Sequence, residues 1–180
     1  RILHYYKMVT LRNLLILIMI VAAFHGCSSS RDQINEIPSA SSLADNFMRL
    51  FPDTIAYKSE SKSYKWNYEQ GLMYEALYQV WKHTGDKKYF DYMKKNIDYY
   101  IEPNGTIKTY KLSDFNIDNI APGRTLLRLY SETKSPKYKK SADTLREQLR
   151  LHPRTTEGGF WHKKIYPYQM WHDGLYMGAP

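Results

Sequence analysis

Two carboxylates in this chain sit where a carboxyl group can move protons. Asp118 lies in DFNIDNIAPGR, where a loop with apolar residues at alternate positions runs into a helix. Asp173 lies in QMWHDGLYMGAP, flanked by Trp171, His172 and Gly174, just ahead of an apolar stretch. An aromatic surround desolvates a carboxyl group, and one that keeps its proton longer suits general acid work. Aspartate is also a preferred N-cap, accepting from the free amides of a helix's first turn. Judged by residue type alone, each aspartate fits either role.

Between them runs LHPRTTEGGFWHKKIYP, with two consecutive glycines. Long loops between helices are usually functional or disordered, and Phe160, Trp161 and Tyr166 argue for order. His162 has the chemistry to bond a ligand hydroxyl or steady a negative charge, and equally to be a satisfied structural histidine. Arg154 and Lys163 bring positive charge towards Asp173, which suits a ligand carrying a carboxylate. No P-loop, GxGxxG or HExxH motif and no Ser-His-Asp order occurs, so nucleophilic, phosphate and zinc chemistry lack support. No metal cluster is read from the spacing and no cofactor is expected.

These residues need a scaffold. The chain has 180 residues, 43% hydrophobic and 24% charged, which suits one globular domain. The aromatic share is high, with 17 Tyr, 6 Phe and 4 Trp. Aromatic rings with a polar tip serve cores and also wet grooves such as sugar clefts. The formal charge is +8, but from residue 27 onward 23 basic residues face 18 acidic ones, a surplus of 5. The lysines alternate with acids and Tyr in helical patterns, which reads as solvated helix faces, and no nucleic-acid partner is expected.

Cys27 is the only cysteine, so it forms no internal disulfide. Arg12 precedes eleven apolar residues from Leu14 to Phe24, then His-Gly-Cys and a Ser run. That is the layout of a secretory signal, with an apolar region inside the usual ~7–15 residues and short of the ~20 that span a bilayer. Gly26-Cys27 resembles a lipobox, in which the cysteine is lipidated, although Phe24 and His25 depart from the usual residues. The expectation is a signal peptide over 1–27 with Met8 as start, a flexible tether over 28–41, and a domain over 42–180. Such a protein is exported to the periplasm or cell surface and anchored in the membrane through Cys27.

Within the domain helical signals dominate. Leu43–Phe51 is short and amphipathic, and Glu69–Lys82 places Leu72, Met73, Ala76, Leu77, Val80 and Trp81 at three- and four-residue spacing. Lys87–Ile101 carries a stripe of Tyr89, Phe90, Met93, Ile97 and Tyr100, and a short extended segment, Thr106–Tyr110, follows. Asp118–Tyr130 and Pro136–His152 form the next helix pair. The two pairs repeat, with Thr84 over Thr133 and Tyr89 over Tyr138, a period of 49 residues. Such αα-hairpins bury their apolar faces by stacking, as an open solenoid or a closed α/α ring.

Taken together, WNYEQG (66–71), VWKHTGDKKYFDYMKKNIDYYI, GTIKTYKLSDFNIDNIAPGRTLLRLY (105–130) and HPRTTEGGFWHKKIYPYQMWHDGLYMGAP (152–180) resemble glycoside hydrolase family 105. These are unsaturated rhamnogalacturonyl or glucuronyl hydrolases of bacterial polysaccharide degradation. The resemblance runs from about Ser42 to Pro180. It implies an all-α (α/α)6 toroid, of which this chain would hold roughly the N-terminal half.

The resemblance also implies an oligosaccharide partner with a 4,5-unsaturated uronate at its non-reducing end, as polysaccharide lyases leave it. Its C4–C5 double bond is hydrated: one Asp protonates C4 and takes a proton from the water attacking C5, and the resulting hemiketal opens and expels the aglycone. The resemblance places that acid/base on Asp173 and the second carboxylate on Asp118. His162 would line the pocket, Trp66, Tyr68 and Trp171 would stack on sugar, and no metal is needed. His172 stands where the family is usually apolar. Two rivals stay open: a glucuronyl hydrolase acting on glycosaminoglycan-type disaccharides, and a non-catalytic helical glycan-binding lipoprotein. Catalysis requires Asp118 and Asp173 to face one cavity with His162 at its wall.

Overall fold

The computed structural model describes residues 38–53 and 64–179. The expected signal segment, Cys27 and the tether up to residue 37 lie outside these residues. The described residues are helical, with three isolated antiparallel bridges and no strand. Among them no helix is long and apolar enough to cross a membrane.

Helix α1 spans Ala40–Leu50 and is capped by Ser39, whose hydroxyl accepts from Ser42 N at 3.1 Å. It begins two residues before Ser42, the expected start of the domain, because this serine cap precedes the first apolar residue. Helix α2 spans Tyr68–Thr84 and α3 spans Lys87–Tyr100. All five residues of the expected α3 stripe are buried.

The expected α2 stripe is met in part: Leu77 is buried and Met73, Val80 and Trp81 pack against the core. The fully buried face is rotated from it. It carries Gln70, Gly71, Tyr74, Leu77 and Tyr78, while Leu72 is 49% exposed. Gly71 sets this rotation. A Cβ there would lie 2.6 Å from Ala121 C and Pro122 N, so only a glycine lets α2 rest on that backbone. Residues flanking the contact on the same face are then buried whatever their polarity.

Two 3-10 turns, Leu112–Asp114 and Ile117–Asn119, precede α4 at Gly123–Thr133. Asp118 therefore does not start the helix expected there. Asn116 caps the second turn, accepting from Asp118 N at 3.1 Å, and Pro122 precedes the first helical residue. The expected extended segment 106–110 reduces to a single bridge, Ile101 to Ile107. Helix α5 spans Pro136–Leu151 and α6 is a short helix, Gly174–Gly178.

The 49-residue repeat is physical. Thr84 Oγ1 donates to Val80 O at 2.8 Å and accepts from Asp86 N at 3.2 Å. Thr133 Oγ1 donates to Leu129 O at 2.7 Å and accepts from Ser135 N at 3.3 Å. Gly85 and Lys134, which follow them, are both left-handed, with φ of 72° and 57°. Helix α2 packs on α3, α4 on α5, and α2 also meets α4, so the two hairpins stack. Much of the aromatic excess is core: Trp66, Tyr74, Tyr89, Tyr100 and Tyr138 are among the largest fully buried side chains. A buried phenol needs a partner, and Tyr138 donates to Asp98 at 2.6 Å.

Candidate active site

The turn that carries Asp118 is held from behind by the WNYEQG segment. Trp66 Nε1 donates to Asn119 O at 2.9 Å, and Asn119 Nδ2 donates back to Trp66 O at 2.7 Å. Gln70 Oε1 accepts from Asn67 N at 2.8 Å, closing the first turn of α2 beneath them. Trp66, expected to stack on sugar, is 1% exposed and packs edge-on against Tyr100. It supports the turn from inside the core and offers no ring face to a ligand. Tyr68, half-buried, opens α2.

The second arm is the loop from His152 to Trp171. Arg154 bridges to Phe160, and Gly158, at φ 88°, makes the tight turn between them. Arg154 is committed to this loop: Nη1 donates to Gly158 O at 2.6 Å, and the guanidinium sits 3.9 Å from the Phe160 ring centroid. Those partners, rather than the carboxylates, take the charge that was expected near Asp173. Further on, His162 N donates to Gln169 O at 2.7 Å, and Ile117 N donates to His162 O at 3.0 Å. The bridge between Asn116 and Lys163 thus lays His162 and Lys163 directly over the Asp118 turn.

The result is a convergent cluster. Asp118 is 5% exposed and His162 2%. His162 Nε2 lies 3.6 Å from Asp118 Oδ1, and Lys163 Nζ lies 2.9 Å from Asp118 Oδ2. Lys163, expected near Asp173, is thus the counter-ion of Asp118. Asp173 reaches the same place from the N-terminal end of α6, and Asp118, His162 and Asp173 bring donor atoms to within 4.8 Å of one another. That donor set has the chemistry to hold a metal ion.

Asp173 occupies the cap position of α6 but makes no side-chain cap bond, leaving its exposed carboxyl available. Capping accounts for neither aspartate. Gly178 lets α6 lie close to this turn, since a Cβ there would come 2.8 Å from Ile117 Cδ1.

Three rings close the cluster. Trp171 stacks on His162 with centroids 4.0 Å apart and planes 6° from parallel, and Tyr166 stacks on Trp171 at 5.4 Å and 14°. Trp171, expected to stack on sugar, stacks on these two rings of the chain and keeps 43% of its surface exposed. Burial pushes the His162 pKa down; Asp118 and Asp173 oppose this and Lys163 adds to it. The ring is therefore neutral near pH 7, and its buried Nδ1 has no hydrogen-bond partner among the described residues.

Sequence reasoning missed the support behind this cluster: Tyr110, Gln148 and His152. Gln148 Nε2 donates to Asn116 O at 2.9 Å, and His152 Nε2 lies 2.8 Å from Trp161 O. One signal was present: polar residues four apart on the stripe that buries Tyr138, Ser141 and Leu145 in α5.

Residues 39–180 match the family model described as Glycosyl Hydrolase Family 88. The chain is also similar to a solved structure, the glycoside hydrolase from family 105 of C. acetobutylicum ATCC 824, at 42% identity and a TM-score of 0.67. That match covers 77% of this chain and 37% of the other, so the chain spans well under half of that enzyme's length. The likeness carries the fold class, an all-α assembly of αα-hairpins of the (α/α)6 toroid type. With the family model matched over most of its length, the chain belongs to Glycosyl Hydrolase Family 88.

Proposed function

We propose that the protein carrying this chain hydrolyses oligosaccharides ending in a 4,5-unsaturated uronate, of the kind pectin and rhamnogalacturonan lyases release. The observation that carries this reading is the convergence of Asp118, His162 and Asp173 within 4.8 Å. Asp173, the exposed member, is the group that a bound sugar can reach. Its carboxyl protonates C4 of the C4–C5 double bond and its carboxylate then takes a proton from the water that adds to C5. The hemiketal so formed opens, and the aglycone leaves.

Asp118 and neutral His162 line the wall beside that carboxyl, and Lys163 balances the Asp118 charge at 2.9 Å. Hydration moves a proton and a water but no electrons, so the scheme calls for no redox cofactor.

The test is to incubate the full-length protein with lyase-generated disaccharides. Ultraviolet absorbance of the conjugated uronate should fall, and faster with pectin-derived than with glycosaminoglycan-derived substrates. Unchanged absorbance with every disaccharide would sink the reading, and the opposite preference would reassign the aglycone. We further propose export and lipid anchoring at Cys27; Cys27→Ala should release the protein from the membrane fraction.

A further inference from the structure

Gln148 lies on the buried face of α5, and His152, four residues on, is the buried residue at its C-terminal cap. Tyr110 O–H donates to Gln148 Oε1 at 2.8 Å. That orients the amide, so Gln148 Nε2 is the atom facing both Asn116 O at 2.9 Å and His152 Nδ1 at 3.3 Å. An amide nitrogen only donates, so His152 Nδ1 accepts. On the other side His152 Nε2 faces Trp161 O at 2.8 Å, and a carbonyl only accepts, so Nε2 carries the proton. The partners thereby assign one tautomer.

Those two carbonyls belong to the two arms of the site. Asn116 stands two residues before Asp118, and Trp161 one residue before His162. We propose that Gln148 and His152 form a crossbar that positions Asp118 and His162 against each other, and that it holds only while His152 is the neutral Nε2–H tautomer. Both are positioning residues, acting through backbone carbonyls. The functional part of the proposal rests on the reading of Asp118 and His162 as site residues.

A second proton on His152 would sit on Nδ1 and face the Gln148 amide, donor against donor. The amide would then have to turn, giving up Tyr110 or Asn116. The groups that face His152 are Gln148 one turn back in α5, the rings of Phe115 and Phe160, the Trp161 carbonyl, the Arg154 charge and, once protonated, His162. None is a carboxylate that would hold an imidazolium. Burial pushes the His152 pKa below its ordinary value, and Arg154 and His162 push the same way, against the Trp161 carbonyl.

The test separates the tautomer from the reaction. In the full-length protein, long-range 1H–15N correlation should find the His152 proton on Nε2 at neutral pH; a proton on Nδ1 overturns the proposal. His152→Gln keeps a donor long enough to reach Trp161 O, whereas His152→Asn does not. The Asn variant should lose about 10- to 100-fold in kcat with little change in KM, since a site loosened by about 1 Å costs up to that much. The Gln variant should recover most of it. Equal losses in both variants, following their melting temperatures, would show a merely structural role and overturn the proposal. If no unsaturated uronide is turned over, the uronide reading fails separately. The crossbar is then judged by the His162 ring signals, which should move in His152→Asn and stay in His152→Gln; signals unmoved in both overturn it.

Discussion

Trp66 and Asn119 exchange two hydrogen bonds across 53 positions of sequence, indole to carbonyl and amide to carbonyl, at 2.9 and 2.7 Å. This pair locks the start of α2 to the turn that carries Asp118. Trp66→Phe keeps a ring in the core but leaves the Asn119 carbonyl without its donor. A half-buried carbonyl so abandoned costs up to about 3 kcal/mol, to be read as a lower melting temperature. An unchanged melting temperature with a raised KM would instead return Trp66 to the sugar.

Gly71→Ala should be among the more damaging small substitutions. Its Cβ would meet backbone atoms of Ala121 and Pro122 at 2.6 Å, and backbone cannot rotate aside as a side chain can. Overpacking of this kind costs about 1–3 kcal/mol, measurable by denaturant unfolding. Gly85→Ala is the control: nothing lies within 4 Å of its Cβ, so its cost comes from φ of 72° alone.

Asp173→Asn and Asp118→Asn should each lower kcat on unsaturated disaccharides by about 100-fold or more, the range of a positioned acid or base. Because Asp173 is exposed and makes no cap bond, its variant should keep the wild-type melting temperature. Asp118→Asn leaves Lys163 without its partner and should also lose stability. Full activity in Asp173→Asn would remove the acid/base assignment.

Trp171→Ala should raise the His162 pKa. Burial is the largest cause holding it down, and the Trp171 ring covers one face of the imidazole at 4.0 Å. With that cover removed water reaches the ring, and an NMR titration should show the midpoint moving up towards about 6.5, the unperturbed value. A midpoint that stays put would place the desolvation elsewhere.

Stability should fall in two steps on acidification. His152 and His162 both have folded-state pKa values below the ordinary one, so the unfolded chain binds protons first. Their loss begins as the pH drops below about 6.5 and continues through the lower folded-state pKa values. Asp98 adds a later step. Burial raises its pKa, but Lys137, Lys94 and Tyr138 outweigh burial and lower it. Its contribution is full above about pH 4 and lost below. Melting temperatures between pH 7.5 and 3 should show both steps; a flat profile from 7.5 to 5 would contradict the histidine step.

What the sequence determined by itself was local. Helix ends at Thr84-Gly85-Asp86 and Pro136 are written in neighbouring residues, because left-handed stops and an N-terminal proline act within one turn. The 49-residue repeat was legible for the same reason: Thr84 and Thr133 each bond only to residues within four positions. The types and spacing of Asp118, His162 and Asp173 marked them as candidates. Only the tertiary structure decided what each side chain is free to do. The Trp66 nitrogen is taken by Asn119, one Trp171 face by His162, the Arg154 charge by its own loop, and Lys163 by Asp118. The buried face of α2 turns on one glycine meeting a backbone some 50 positions away. Such choices depend on which distant segments are brought into contact, and local periodicity carries no term for that.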